Sequence, residues 1–327
     1  MKRLFILFFF ICFCFSLYCV PVDKKVYLFK NSDTANSSMA NCGVIFLTRD
    51  SVESNPALLT QNTTNNIYVG YNHSEFDDGV ALNKIKELKS LDYYAVNTPK
   101  SGLYFRRTKQ KDEGKLLNRK FEFVSNELGL AAAEESSTVK GLVLGLKMKL
   151  FFNQISDSTY DNSNLQLITD NGYGYSLDLS FHYKKGPFVC GLSADNLFGN
   201  IYWKEYDNIY INPEVTAGIG LESDYIKYGI TLNKVFSDGE KIIYGHGVEV
   251  VLLNTPEDYP ALLNLFKVKL RAGITSEEIF KSKNKKTSYG AELEKNGYFI
   301  EFLTEGDSSK IFNGDNKIYK LSIGKQI

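Results

Sequence analysis

The sequence predicts an all-β fold, and within that class a transmembrane antiparallel β-barrel. Three observations carry this. The first is strict alternation at period two over long stretches, clearest in YGYSLDLSFHY, Tyr173 to Tyr183. Tyr173, Tyr175, Leu177, Leu179, Phe181 and Tyr183 share one parity, and Gly174, Ser176, Asp178, Ser180 and His182 share the other. Alternation of this kind marks a strand with one apolar and one polar face. Strands of soluble sheets usually run about five or six residues, whereas a tilted strand crosses a bilayer with about 9–11. The second observation is composition: 43% of residues are apolar and 14% aromatic, yet beyond the N-terminus no run approaches the ~20 apolar residues a membrane helix needs. The third is a set of turn dipeptides, Asn171-Gly172, Asp238-Gly239, Asn296-Gly297 and Asn313-Gly314, which suit the positive φ of tight hairpins.

In chain order, Met1-Lys2-Arg3 followed by LFILFFFICFCFSLYCV reads as a secretory signal peptide, residues 1–19, with an uncleaved anchor as the alternative. Three of the five cysteines lie in this leader; Cys42 and Cys190 remain. They are expected as two unpaired small apolar residues, with one disulfide as the alternative in an oxidising compartment. Residues 20–62 show little clean alternation, and Asn55-Pro56 ends a local element and turns the chain. Within 79–90, Val80, Leu82, Ile85 and Leu88 stand at near-helical spacing with lysines between, which predicts a short helix in a plug or on the surface.

From residue 63 to 327 the pattern is strand, turn, strand. Weaker candidates lie near 65–72, 91–97, 102–109 and 117–125. Clear alternation follows in 142–152, 173–183, 188–195, 215–221, 227–233, 266–274 and 289–294, and Tyr319, Leu321 and Ile323 close the chain. The count is a dozen to fourteen strands, arranged as an antiparallel meander. Lys147, Lys149, Lys227, Lys267, Lys269 and Arg271 share the polar parity, as do Glu292, Glu294 and Glu301. A closed barrel turns that parity to its lumen, and a soluble sandwich, the competing reading, turns it to solvent.

Several segments resemble FadL/PorV-type outer-membrane barrels. SSMANCGVIFLTRDSVESNPALL, Ser37 to Leu59, places Gly43, Asp50 and Asn55-Pro56-Ala57-Leu58 in the order of that family's opening. The family's second glycine before the apolar run is absent, and Leu58 stands where a glycine usually follows Asn-Pro-Ala. GLSADNLFGN (Gly191 to Asn200) and LRAGIT (Leu270 to Thr275) are similar to a strand end and a penultimate region of the family. KIYKLSIGKQI resembles its terminal strand, with Ile327 in place of the usual aromatic. The resemblance implies about fourteen strands, with an N-terminal hatch (20–62) whose motif is Gly43, Asp50, Asn55 and Pro56, and a home in the bacterial outer membrane.

Enzymatic chemistry is not expected. His182 lies beside Ser180 and Asp178 on the polar parity, a triad fragment on paper, but a lumen histidine in a polar network is the simpler reading. No G-x-S-x-G, H-E-x-x-H, P-loop or paired C-x-x-C is present, so no cofactor or metal is expected. Lys plus Arg equals Asp plus Glu at 38 each, which gives no footprint for nucleic acid. The run Lys281 to Lys286 is expected as a solvated turn, with contact to anionic headgroups as the alternative. Two functions are expected from the two sides of the resemblance. One is uptake of hydrophobic or amphiphilic small molecules such as long-chain fatty acids, with Lys147, Lys149, Lys267, Lys269 and Arg271 holding a carboxylate head beside apolar lumen residues such as Val143 and Phe151. The other is a PorV-like barrel that docks a protein partner.

Overall fold

A computed structural model of the chain describes residues 39–48, 51–77, 85–114, 119–161, 164–236, 241–253, 267–279, 282–307 and 318–327. The signal segment, Asp50, Asp238-Gly239 and Asn313-Gly314 lie outside the described residues. Sixteen strands follow an N-terminal segment of short turns. They are β1 (Asn66–Asp77), β2 (Ile85–Asn97), β3 (Ser101–Gly114), β4 (Arg119–Glu135), β5 (Leu142–Asp161), β6 (Asn164–Lys185), β7 (Phe188–Asp195), β8 (Asn200–Trp203) and β9 (Ile209–Tyr210). Then come β10 (Glu214–Glu222), β11 (Ile226–Val235), β12 (Lys241–Leu253), β13 (Lys267–Ile279), β14 (Ser282–Lys295), β15 (Tyr298–Asp307) and β16 (Ile318–Gln326).

Fourteen of these strands, β1–β7 and β10–β16, form one closed antiparallel barrel. Each pairs with its sequence neighbour, β7 pairs with β10, and β1 pairs with β16 to close the ring. Closure gives every wall strand two partners, the condition for placing backbone amides in lipid. Among the described residues no helix is long and apolar enough to cross a membrane.

Side-chain parity follows the sequence prediction. Tyr173 and Tyr175 point outward, with Tyr173 62% exposed, while Asp178 and His182 point inward at 1% each. Leu144, Leu146, Met148 and Phe152 on β5 and Tyr289, Ile300, Phe302 and Leu321 on β14–β16 are also outward and exposed. A wall of this kind is stable only against hydrocarbon. Cys190 faces the same way, Cys42 is buried inside, and both thiols are free.

The wall is uneven in height. β6 has 22 residues and β5 has 20, while β7 has 8. β7 pairs with β6 only from Leu179 to Lys185. Beyond that the hairpin β8–β9 takes over, with β8 pairing Gly172–Tyr175 of β6. This hairpin lies at the end of the barrel away from the paired start of β1 and finish of β16; that end is called distal here, and the other terminal.

Three local expectations change. Asn171-Gly172 is not a turn but lies inside β6. Gly172 is needed for close approach: a Cβ there would meet the Trp203 indole at 2.8 Å. Residues 85–90 form the start of β2 rather than a helix, because β1 pairs with them residue for residue, from Ser74↔Lys89 to Asp77↔Lys86; 79–84 lie outside the described residues. Ser282 to Lys286 of the basic run belong to β14 and pair with β13, not to a turn. Asn296-Gly297 is a turn as expected, with φ of 51° and 79°.

Candidate functional site

The described N-terminal residues lie inside the barrel. Cys42–Val44 form a 3-10 turn, Ser51–Ser54 a single helical turn (α1), and Pro56–Gln61 a second 3-10 turn. The first packs against β7, β10, β11 and β12, α1 against β3 and β4, and the last against β3–β6. Asn55 organises this segment, called the plug here for its position alone. Its Oδ1 accepts from Ala57 N at 3.0 Å, capping the turn that Pro56 begins, as Asn and Pro do at such starts. Its Nδ2 donates to Val44 O (2.6 Å) within the plug and to Phe181 O (3.2 Å) on the wall. Gly43 O accepts from Ser54 Oγ at 3.3 Å. Of the expected motif, then, Gly43, Asn55 and Pro56 converge on one buried knot.

The barrel makes room for the plug with glycine. A Cβ on Gly191 would fall well inside contact of Val44 O, one on Gly247 inside contact of Met39 O, and one on Gly145 inside contact of Ala57 N. The glycine-rich polar parity is therefore a groove for plug backbone, a role that alternation alone does not reveal. Wall side chains complete the seat. Ala57 N donates to Ser180 Oγ at 3.1 Å. One neutral tautomer of His182 satisfies both of its neighbours: Nε2–H donates to Ile45 O (3.2 Å) and Nδ1 accepts from Gln61 Nε2 (3.2 Å). Asp178, Ser180 and His182 thus each serve the lumen structure separately, and no triad forms.

Two ion-pair systems occupy the lumen. On β3–β7, Arg106 bridges Glu53 of α1 and Glu127 of β4, and the Tyr104 hydroxyl donates to Glu127. Next to it, Asp178 takes Lys147 at 2.8 Å and Lys149 at 2.9 Å; Lys147 also reaches Asp195 at 3.6 Å, and its Nζ donates to Glu53 O. On β10–β15, toward the terminal end, the signs alternate from strand to strand as far as β14, and β15 adds a second carboxylate. Glu222 pairs with Lys227 (3.5 Å), Lys227 with Glu249 (3.4 Å), and Glu249 with Arg271 Nε (2.6 Å). Arg271 also pairs with Glu292 and with Glu301 (3.4 Å), and Lys269 with Glu292 (2.7 Å). So Lys147, Lys149, Lys269 and Arg271 all face inward as their parity implied, each matched by carboxylates of the protein, and Lys267 is half-buried at the start of β13. Sequence parity supplied the inward cations; their partners came from neighbouring strands whose register no single sequence displays.

Toward the distal end the lumen turns apolar. Phe123, Phe151, Ile155, Ile201, Trp203, Ile209 and Ile211 form one buried cluster across β4, β5 and the β8–β9 hairpin. The hairpin is fastened by Asp170, whose carboxylate accepts from the backbone of Glu205 (2.8 Å) and Tyr206 (3.0 Å). Beneath the cluster lies a cavity of about 40 Å³ lined by Tyr104, Arg106, Lys149, Phe151, Asn196 and Glu214, among others. Glu53 of the plug is one of the residues that line it. A space of that size suits a few waters, and is well below the ~150 Å³ that admits benzene in an engineered apolar cavity.

The Cys42 thiol lies in the plug, and burial pushes its pKa up to about 12. It is therefore protonated and inert while the plug is seated.

No family model and no curated protein matches the chain by sequence. Solved structures do match by fold. The chain is similar to the CymD monoaromatic hydrocarbon channel, with a TM-score of 0.62 at 12% identity over 92% of this chain and 99% of that one. It is similar to a Pseudomonas aeruginosa FadL homologue, with a TM-score of 0.64 at 8% identity over 91% and 99% of the two chains. A third match is the Ralstonia pickettii toluene transporter TbuX, with a TM-score of 0.62 at 10% identity over 92% and 100%.

Proposed function

We propose, on a barrel of FadL-type fold, that the chain takes up small hydrophobic molecules through the bacterial outer membrane, with its terminal end in the periplasm and its distal end outside. The observation that carries this reading is the order of layers along the lumen. An apolar cluster at the distal end leads to a small cavity, and a seated plug closes the cavity below. An apolar entry draws a hydrophobic solute out of water, and the plug keeps the barrel from being an open pore. Passage requires the plug to shift, because the cavity is too small as it stands. Among the fold likenesses are a hydrocarbon channel and a toluene transporter, and they lend nothing to a PorV-like docking role.

The test is uptake of a labelled hydrophobic solute by bacterial cells that lack a barrel of this type, made to express the chain. A disulfide between Ala57→Cys and Ser180→Cys, in a Cys42→Ser, Cys190→Ser background, ties the plug to β6 where Ala57 N and Ser180 Oγ lie 3.1 Å apart. Uptake is expected only after reduction. Equal uptake by oxidised and reduced protein would remove the plug from the path, and no uptake in either state would remove the transport reading.

A further inference from the structure

One residue row in the distal lumen holds polar groups that the protein leaves unused. Both amide atoms of Asn153 and the Nε1 of Trp203 are buried without a hydrogen-bond partner. Asn153 is 4% exposed and Trp203 7%. Register places them on either side of one glycine: Asn153 pairs with Gly172, and Gly172 pairs with Trp203. Because Gly172 lacks a side chain, the Trp203 indole packs against the β6 backbone at this row. Ser125, opposite Asn153 on β4, continues the row. Apolar side chains flank the row: Phe151 and Ile155 stand on either side of Asn153 along β5, and Phe123 and Ile201 belong to the same cluster, while Thr108 on β3 and Asp170 on β6 are further buried polar groups nearby.

Buried polar groups nearly always find partners, and leaving one unpaired is costly. Asn153 offers a donor and an acceptor, and Trp203 a donor. All three atoms are neutral. The cations one and two rows below are already spent: Arg106 on Glu53 and Glu127, Lys149 on Asp178. A carboxylate would have to displace one of these buried partners, which is unfavourable. From this we infer that the row is a binding subsite for a neutral hydrophobic molecule carrying one hydroxyl or carbonyl group. The polar group bonds to Asn153 and Trp203, and the apolar body lies against Phe123, Ile155 and Ile201. Phe151 lines both the cluster and the cavity beneath, so the place the body takes adjoins that cavity and opens fully only when the N-terminal segment shifts, as passage itself requires. The inference rests on the uptake reading above and names its substrate class.

Trp203 is the one tryptophan of the chain, so its fluorescence reports on this site alone. The test titrates the full chain, folded in detergent, with three ligands that share a ring: cyclohexanol, methylcyclohexane and cyclohexanecarboxylate. Cyclohexanol is expected to bind about tenfold more tightly than either of the others, the discrimination a site built around a hydrogen bond provides. Asn153→Leu is expected to erase the preference while methylcyclohexane still binds. If that variant fails to fold, Asn153→Ala, which removes the amide without added bulk, carries the same comparison. Equal binding of alcohol and hydrocarbon, or an unchanged preference in the variant, overturns the inference and leaves hydrocarbon uptake standing, with bound water as the partner of Asn153. Tightest binding by the carboxylate overturns it in favour of the basic lumen residues. No response to any of the three also overturns it, and the separate uptake assay then shows whether the transport reading fails as well.

Discussion

Gly191→Leu is expected to unseat the plug without unfolding the barrel. A side chain at 191 occupies the place of the Val44 carbonyl, and the turn Cys42–Val44 has no slack, since Met39–Phe46 are nearly all fully buried. β7 and β10 lose no backbone hydrogen bond, so heat-modifiable mobility on a gel persists. The readout is Cys42 in a Cys190→Ser background. In the parent, burial holds its thiol at a pKa of about 12, so at pH 8 thiolate is scarce and an aqueous maleimide reacts slowly. Freed from the lumen, the thiol returns toward the ordinary value of about 8.5, and labelling speeds up on the order of a thousandfold. Cys42 remaining inert, with the barrel folded, would show that the plug does not rest against Gly191.

Arg106→Met is expected to cost a large part of the stability of the lumen. Arg106 is buried between Glu53 and Glu127, with Tyr104 on the same carboxylate. Removing one partner of a buried ion-pair system typically costs about 3–5 kcal/mol, because the remaining charges have neither water nor a counterion. Here two carboxylates are left facing each other. Unfolding by urea in phospholipid vesicles should show the loss as a lower midpoint at unchanged slope. Adding Glu53→Gln and Glu127→Gln to the variant should recover most of it, since the uncompensated charges are then gone. A single variant as stable as the parent would mean that the Arg106 ion pairs add nothing net to the stability of the fold.

The sequence carried the wall but not its contents. Strands such as β5 and β6 are legible because lipid on one side and the lumen on the other impose opposite demands on alternate residues. β15 is less so: Phe299 and Leu303 point inward alongside Glu301, so both parities carry apolar residues. β12 blurs for the same reason, with Ile242-Ile243 and Val250-Val251-Leu252 running together. The β8–β9 hairpin, with strands of 4 and 2 residues, is too short to show a period at all. Ile85 and Leu88 sit three apart and mimic a helix, and only pairing with β1 decides otherwise.

The lumen lining was legible at the level of residue type. Lys147, Lys149 and Arg271 could be placed in the lumen by parity, and Asn55-Pro56 at a break in the chain. That Asp178 and Glu292 answer those cations, and that the inward glycines fit plug backbone, depends on residues far apart in sequence. The Asn171-Gly172 misreading has the same origin. A glycine kept for close packing against Trp203 looks, in sequence, like a glycine kept for positive φ.

The most direct measurement is thiol accessibility along β6 in proteoliposomes. Single cysteines are placed at Tyr175, Ser176, Leu177, Leu179 and Ser180 in a chain lacking Cys42 and Cys190. Each is offered a lipid-soluble and a charged aqueous reagent. The lipid-soluble reagent alone is expected to reach positions 175, 177 and 179, and neither reagent is expected to reach 176 or 180 until the protein is unfolded. Labelling of 175, 177 and 179 from water, or labelling with no alternation along the strand, would contradict a lipid-embedded barrel with an occupied lumen.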